Sequence, residues 1–258
     1  MSAPASPFPD LHPDRPPPPE YWPNIDHLVT EDDTPVDNIY SERQQRLLTE
    51  PLYSSWAGPG PDRPFLALAN VGLFQGVNKP PIVPDMMLSL DVRAPENLML
   101  KRHRSYFIWE FGKSPEIGIE IVSNLEGGEL SNKKALYAEM GVSYYVVWDP
   151  ELILKSHRLS VFILQGRHYV PLEKAWFPEV GLGLTTWTGI FEGSRADWLR
   201  WCDQTGVLIA TGEERAAQER LRAEQEHQRA EQERQRADEA EARAAHLAEQ
   251  LRKLGGAP

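Results

Sequence analysis

Three ionisable side chains in one stretch of this chain have the types and spacing for phosphoryl chemistry. Asp85 follows Pro84 at the head of the alternating segment VPDMMLSLDV, residues 83–92. Glu120 stands among isoleucines in PEIGIEIVS, residues 115–123. Lys133 and Lys134 follow in ELSNKKALYAEMG, residues 129–141. Two carboxylates can hold Mg²⁺ through oxygen ligands, with waters completing the octahedron. Such an ion polarises a phosphoryl oxygen and lowers the pKa of a bound water. A neighbouring lysine can orient the attacking water or stabilise the negative charge that develops. The trio suits phosphodiester hydrolysis.

Each residue also has a plainer reading. Pro-Asp is a common turn opener. Glu120 could lie on a wet strand face. A lysine on an apolar stripe can carry its ammonium out to water. For Glu120 alone the plainer reading is the favoured one; the weight for chemistry comes from Lys133 and from the geometry that joins the two. Glu120 projects opposite Ile119 and Ile121, alongside Gly118 and Val122, and a buried carboxylate needs a partner, a proton or a cation. On a helical wheel Leu130, Lys133, Leu136, Tyr137 and Met140 share one side, with Lys134 at its edge. Glu120 lies about 10 Å of chain before its strand ends. Lys133 lies roughly 6 Å into the next helix. A helix packed back across the sheet brings the two heads together.

The elements that must position these groups are legible in outline. SERQQRLL, residues 41–48, predicts a short helix with Ser41 as its cap, and residues 53–64 predict a loop. FLALANVGLF, residues 65–74, predicts a strand. Period-two alternation over residues 83–92 predicts a strand with one buried and one polar face. RSYFIWEFG, residues 104–112, is mixed. The β-branched run at 115–123 predicts a strand, and residues 129–141 a helix stopped at Gly141. VSYYVVWDP predicts a further strand, RLSVFILQGRHYVPL a hairpin turning at Gln165-Gly166, and ADWLRWCD a short helix. Strand, helix, strand and hairpin together predict an α/β fold with a mixed central sheet flanked by helices.

Both ends differ from this middle. Residues 1–24 are proline-rich, with Pro16 to Pro19 consecutive, and predict a disordered tail. Residues 25–210 hold the core. Residues 211–258 predict a long charged helix, opened by a capping box at Thr211 and Glu214. Ala216, Ala223, Ala230, Ala237, Ala244 and Leu251 recur every seven residues; the partner positions are Glu219, Glu226 and Glu233, then Ala240, Leu247 and Leu254. The seam improves toward its end, so a homodimer through the last heptads and a solvated single helix both remain open.

Composition narrows the class. The formal net charge of −11 argues against simple coating of nucleic acid, where phosphate contacts dominate affinity. It leaves room for a cation-assisted hydrolase and a local basic patch. The single cysteine, Cys202, excludes an intramolecular disulfide framework. No apolar run is long enough for a bilayer, and the first residues lack the pattern of a signal peptide, so a soluble cytoplasmic protein is expected. The seven histidines (12, 27, 103, 157, 168, 227 and 246) show no metal-ligand spacing.

PPIVPDMMLSLDV, then PEIGIEIVSNLEGGELSNKKALYAEMGVSYYVVWDP, resembles the Uma-two family of restriction endonucleases, grouped with the PD-(D/E)xK nucleases. The likeness continues through VGLGLTTWTGIFEG and DWLRWCD and spans about residues 29–210. It implies a restriction-endonuclease-like core and Mg²⁺-dependent endonuclease hydrolysis of DNA. It assigns Asp85 and Glu120 as metal ligands and catalytic groups, with Lys133 as the catalytic lysine. The usual superfamily lysine, two residues after the glutamate, is replaced here by Val122; the family carries its lysine on the next helix, four residues before a tyrosine, which matches Lys133 and Tyr137. An acidic residue near the first helix often supports the metal in that superfamily, and Glu42 and Asp37 are the candidates. The competing reading is a nuclease fold without catalysis, acting as a binding or assembly module through its helical tail.

Overall fold

The computed structural model describes residues 21–25, 38–60, 62–123 and 132–254. The proline-rich stretch 1–20, Asp37 and the start of the predicted 129–141 helix lie outside the described residues. The chain divides into two compact units between Ile209 and Ala210.

The first unit is built on a six-stranded sheet in the order β1-β3-β5-β6-β7-β8. Its strands are β1 (Phe65–Leu68), β3 (Met86–Leu90), β5 (Ile117–Ile121), β6 (Tyr144–Trp148), β7 (Leu159–Gln165) and β8 (His168–Pro171). All neighbours are antiparallel except β5 and β6. A parallel pair needs a crossover, and here it includes helix α3 (Lys134–Met140), which Gly141 ends in the left-handed conformation at φ 78°. A three-stranded antiparallel sheet follows, β11-β10-β9: β9 (Trp176–Phe177), β10 (Leu182–Phe191) and β11 (Ser194–Cys202). Two short parallel strands, β2 (Leu73–Phe74) and β4 (Tyr106–Phe107), form a third sheet. A single helical turn, α2 (Ile108–Phe111), follows β4.

The large sheet is buried on both faces. Met86, Leu88, Leu90, Ile117, Ile119, Ile121, Val146 and Trp148 share one cluster with α1 (Ile39–Ser54) and with Leu184, Leu199 and Trp201 of the small sheet. Met87, Tyr145, Val147 and Val122 share the opposite cluster with Tyr137 and Met140 of α3. The predicted polar face of β3 is therefore a second core face. Ser89 tolerates burial because its hydroxyl pairs with that of Tyr106 at 2.8 Å. Asp91 falls beyond the strand, where Arg63 holds its exposed carboxylate through two nitrogens at 2.7 and 2.8 Å.

Four other expectations change. The single strand over 65–74 is two strands in different sheets, separated by a bend at Asn70, whose φ is 52°. Helix α1 starts earlier and runs further than 41–48: Asn38, not Ser41, is its cap, accepting the Ser41 amide at 3.0 Å, and Pro51 is accommodated inside it. Leu136, assigned to the apolar stripe of α3, is exposed. The helix expected at ADWLRWCD is strand β11, paired along its whole length with β10. Both faces of β11 are covered near its end, where Trp198, Leu199, Arg200, Trp201 and Cys202 are all buried. Arg200 fits there by lying over the Trp187 ring at 4.8 Å and donating to the Ile209 carbonyl at 2.9 Å.

The second unit is one helix, α4 (Gly212–Leu254), of 43 residues. The predicted capping box forms: Thr211 Oγ1 accepts the Glu214 amide at 3.1 Å, and Glu214 accepts the Thr211 amide at 2.8 Å. Its surface carries ion pairs four residues apart, among them Arg243–Glu239 at 3.1 Å and Lys253–Glu249 at 2.9 Å. Among the described residues, no helix is long and apolar enough to cross a membrane.

Candidate active site

Asp85, Glu120 and Lys133 meet at the end of the sheet where β3 begins and β5 ends. In the β3–β5 ladder Met86 faces Ile119 and Met87 faces Gly118. Continuing that register by one residue sets Asp85 opposite Glu120, and residues opposite each other point to the same face. The Pro84 carbonyl, next along the chain, accepts the Asn70 amide at 3.2 Å and not one from β5. The side chain of Asp85 takes over instead, its Oδ2 accepting the Ile121 amide at 2.6 Å.

Helix α1 holds the other oxygen of Asp85. Gln45 Nε2 donates to Oδ1 at 3.1 Å, and Gln45 Oε1 accepts from Asn70 Nδ2 at 3.0 Å. The helix is itself fixed to β11 by the preceding residue. Gln44 donates to the Leu199 carbonyl at 2.9 Å and accepts the Leu199 amide at 2.8 Å, like one rung of a sheet. Glu42 pairs with Arg46 at 2.7 Å on the exposed side of α1. The α1 side chain that reaches Asp85 is a neutral amide, Gln45. Neither Gln45 nor Asn70 was singled out in the sequence, because only the tertiary fold brings the 45, 70 and 85 positions together.

Glu120 is 1% exposed. A carboxylate so deep requires charge-assisted partners. Lys133 donates to Oε2 at 2.7 Å, and the Tyr137 hydroxyl donates to Oε1 at 2.5 Å. Lys133 and Tyr137 stand four residues apart and so share one face of the α3 segment. The lysine side chain remains 32% exposed, so its ammonium borders both the buried carboxylate and solvent. Tyr137 is fully enclosed. Burial, followed by the negative charge of Glu120, holds its hydroxyl well above the ordinary tyrosine range, and Asp85 adds to the effect.

Gly118 makes this arrangement possible. A β-carbon there would stand 2.8 Å from Tyr137 Cε1. The bare strand lets the tyrosine ring lie across it and reach Glu120, two residues along the same face. Tyr145 closes the ring from the side, with centroids 4.8 Å apart. The sequence signal was present in IGIEI, where glycine interrupts a β-branched strand, but its partner was not identifiable. Lys134 takes a different course, its ammonium lying 3.4 Å from the Phe162 ring centroid; partial burial lowers its pKa.

Among the described residues, no group of three or more His, Cys, Asp or Glu is placed to hold a metal ion. Two facing carboxylates still fit Mg²⁺, which commonly takes one or two carboxylates and keeps several waters.

The six-stranded mixed sheet with its flanking helices is a restriction-endonuclease-like fold. Residues 32–188 match the family Uma2, whose description reads "Putative restriction endonuclease", and the chain belongs to that family. No curated protein sequence matches it.

Proposed function

We propose that this protein is a Mg²⁺-dependent DNA endonuclease whose working groups are Asp85, Glu120 and Lys133. The observation that carries the reading is a buried carboxylate, Glu120, facing a second one, Asp85, with a half-exposed ammonium at its side. Asp85 and Glu120 would hold the ion; when bound, it polarises a phosphoryl oxygen and makes its water a better nucleophile. Asp85 is pre-set by the Ile121 amide and by Gln45, so it needs little reorganisation to act as a ligand. Tyr137 holds one oxygen of Glu120 and fixes the rotamer of its carboxylate. Lys133 sits where its ammonium can shift from Glu120 toward a phosphate oxygen or an attacking water, stabilising charge that develops there. The negative total charge is compatible with this assignment because the cation carries the phosphate contact.

A second reading has one specific observation in its favour. Glu120 is already matched by Lys133 and Tyr137, and a self-satisfied carboxylate suits a fold that has lost catalysis and serves as a binding or assembly module. The last heptads of α4, with Leu247 and Leu251 exposed, would then supply a homodimer contact.

Calorimetric Mg²⁺ titration and plasmid nicking on the same samples separate the two. Asp85→Asn and Glu120→Gln are the useful variants, because an alanine at 85 would leave the buried Ile121 amide unpaired. Wild type should bind Mg²⁺ and nick, and both variants should lose cleavage while staying folded. Neither binding nor cleavage by folded wild type would leave the module reading. Cleavage by both variants at the wild-type rate would refute the site.

A further inference from the structure

A groove of about 580 Å³ lies between α3 and the β7–β8 turn. Lys134 and Glu139 line it from the helix; Arg167, His168 and Tyr169 line it from the turn and from β8. Its aromatic side is firmly held. The Tyr169 hydroxyl donates to the Val142 carbonyl at 2.6 Å, and the ring packs against Tyr145 with centroids 5.7 Å apart.

The charges in this groove do not cancel. A surface lysine ordinarily reaches an acid or extends into water. The Lys134 ammonium lies on the Phe162 ring instead, and no carboxylate acts on it among the described residues. Arg167 and His168 are exposed and form no ion pair among the described residues. Glu139 is the one carboxylate of the lining among those residues, and Lys79, from the β2–β3 connection, already pairs with it. The groove therefore presents a local excess of positive charge in a chain whose formal total is −11. Charge of this sign selects an anionic ligand.

The placement of the two consecutive lysines selects a repeating anion. Lys133 donates to Glu120 on β5, whereas Lys134 lies over Phe162 on β7. Strand β6 stands between them, so the two ammonium groups are directed to strands about 10 Å apart across the sheet. That is wider than one phosphate. A duplex strand, with a phosphate at about every 3.4 Å of axis, presents one charge to each.

We propose that this groove holds the sugar-phosphate backbone of duplex DNA beside the phosphate that is cut, with Lys134 and Arg167 as the cations that bind it and His168 as a further N–H donor. Such contacts fix the register of the duplex and carry no sequence information. That the strand continues from the groove to Lys133 rests on the nuclease reading above; the excess of cations in the groove does not.

The test uses the full chain, with Ca²⁺ in place of Mg²⁺, and fluorescence anisotropy of one labelled duplex between about 50 and 200 mM KCl. Each phosphate contact contributes about 0.9 to the slope of log affinity against log salt. Lys134→Gln and Arg167→Gln should each lower that slope by about one, and the double variant by about two. Lys134→Arg keeps the charge and should keep the wild-type slope. Arg195→Gln removes an exposed cation near the start of β11, in the small sheet that packs with α1, and should leave the slope unchanged. A slope that survives the double variant, or one that falls as far in Arg195→Gln, overturns the proposal. Absence of binding by folded wild type at the lowest salt overturns it too. Nicking with Mg²⁺ is read in parallel. Nicking with slopes unchanged in the variants overturns the groove and leaves the hydrolase; lowered slopes without nicking support the groove and remove the hydrolase.

Discussion

Replacing Tyr137 by phenylalanine isolates the physics that holds the site together. The ring stays over Gly118 and against Tyr145, so apolar packing changes little. The loss is one donor to a carboxylate oxygen that is 2.5 Å away and shut off from water. A hydrogen bond to a charged group contributes about 1.5–3 kcal/mol, and a buried ionised oxygen left without its donor sits at the upper end of that range. Lys133 still holds the other oxygen, which keeps the expected loss near 2 kcal/mol and not higher. For a domain of this size that corresponds to a fall in Tm of roughly 4–8 °C. Urea unfolding at pH 7, followed by tryptophan fluorescence, measures it directly. Tyr169→Phe is the internal control: its hydroxyl donates to a neutral acceptor, the Val142 carbonyl, at 2.6 Å, and its removal should cost about 1 kcal/mol. A Tyr137→Phe loss below about 0.5 kcal/mol, or one no larger than that of Tyr169→Phe, would refute the claim that this hydroxyl stabilises an ionised, buried Glu120.

Gly118→Ala should displace the Tyr137 ring, since a β-carbon would meet it at 2.8 Å, costing about 1–3 kcal/mol as an overpacked core position; an unchanged urea midpoint would contradict this. Alkali should unfold the protein cooperatively. Burial raises the folded-state pKa of Tyr106 and of Tyr137 well above their ordinary value of 10.0. The native state therefore keeps two protons that the unfolded chain releases. Stability is intact below pH 10 and falls as pH rises beyond it, by roughly 1.4 kcal/mol per tyrosine per pH unit. Urea midpoints at pH 8, 10 and 11 check the slope, and a flat profile would show that these tyrosines ionise freely in the fold. The last heptads of α4 should associate, giving a concentration-dependent mass by light scattering; a monomer at every accessible concentration excludes that contact.

Much of the fold can be read from residue order because its signals are local. Glu120 opposite the isoleucines, Gly141 closing α3, and the Thr211–Glu214 box opening α4 all depend on neighbours within a turn or a strand. The strand–helix spacing likewise brings Lys133 within reach of Glu120 before any contact is known. Local pattern fails where both faces of an element are covered, since burial then erases the alternation that marks a strand. ADWLRWCD reads as a short helix for that reason, yet pairing with β10 and burial on both sides make it β11. Other decisions belong to chain segments far apart in sequence. Gln44 docks α1 on β11, which aims Gln45 at Asp85, with Asn70 behind it. The sequence by itself determined the ionisable groups and their order along the chain. Only the tertiary structure decided that Glu120 is sealed from water, that Tyr137 reaches it across the bare backbone of Gly118, and that α1 offers Asp85 an amide. Desolvation and hydrogen-bond partnership are properties of packing in three dimensions, and they set what these carboxylates can do.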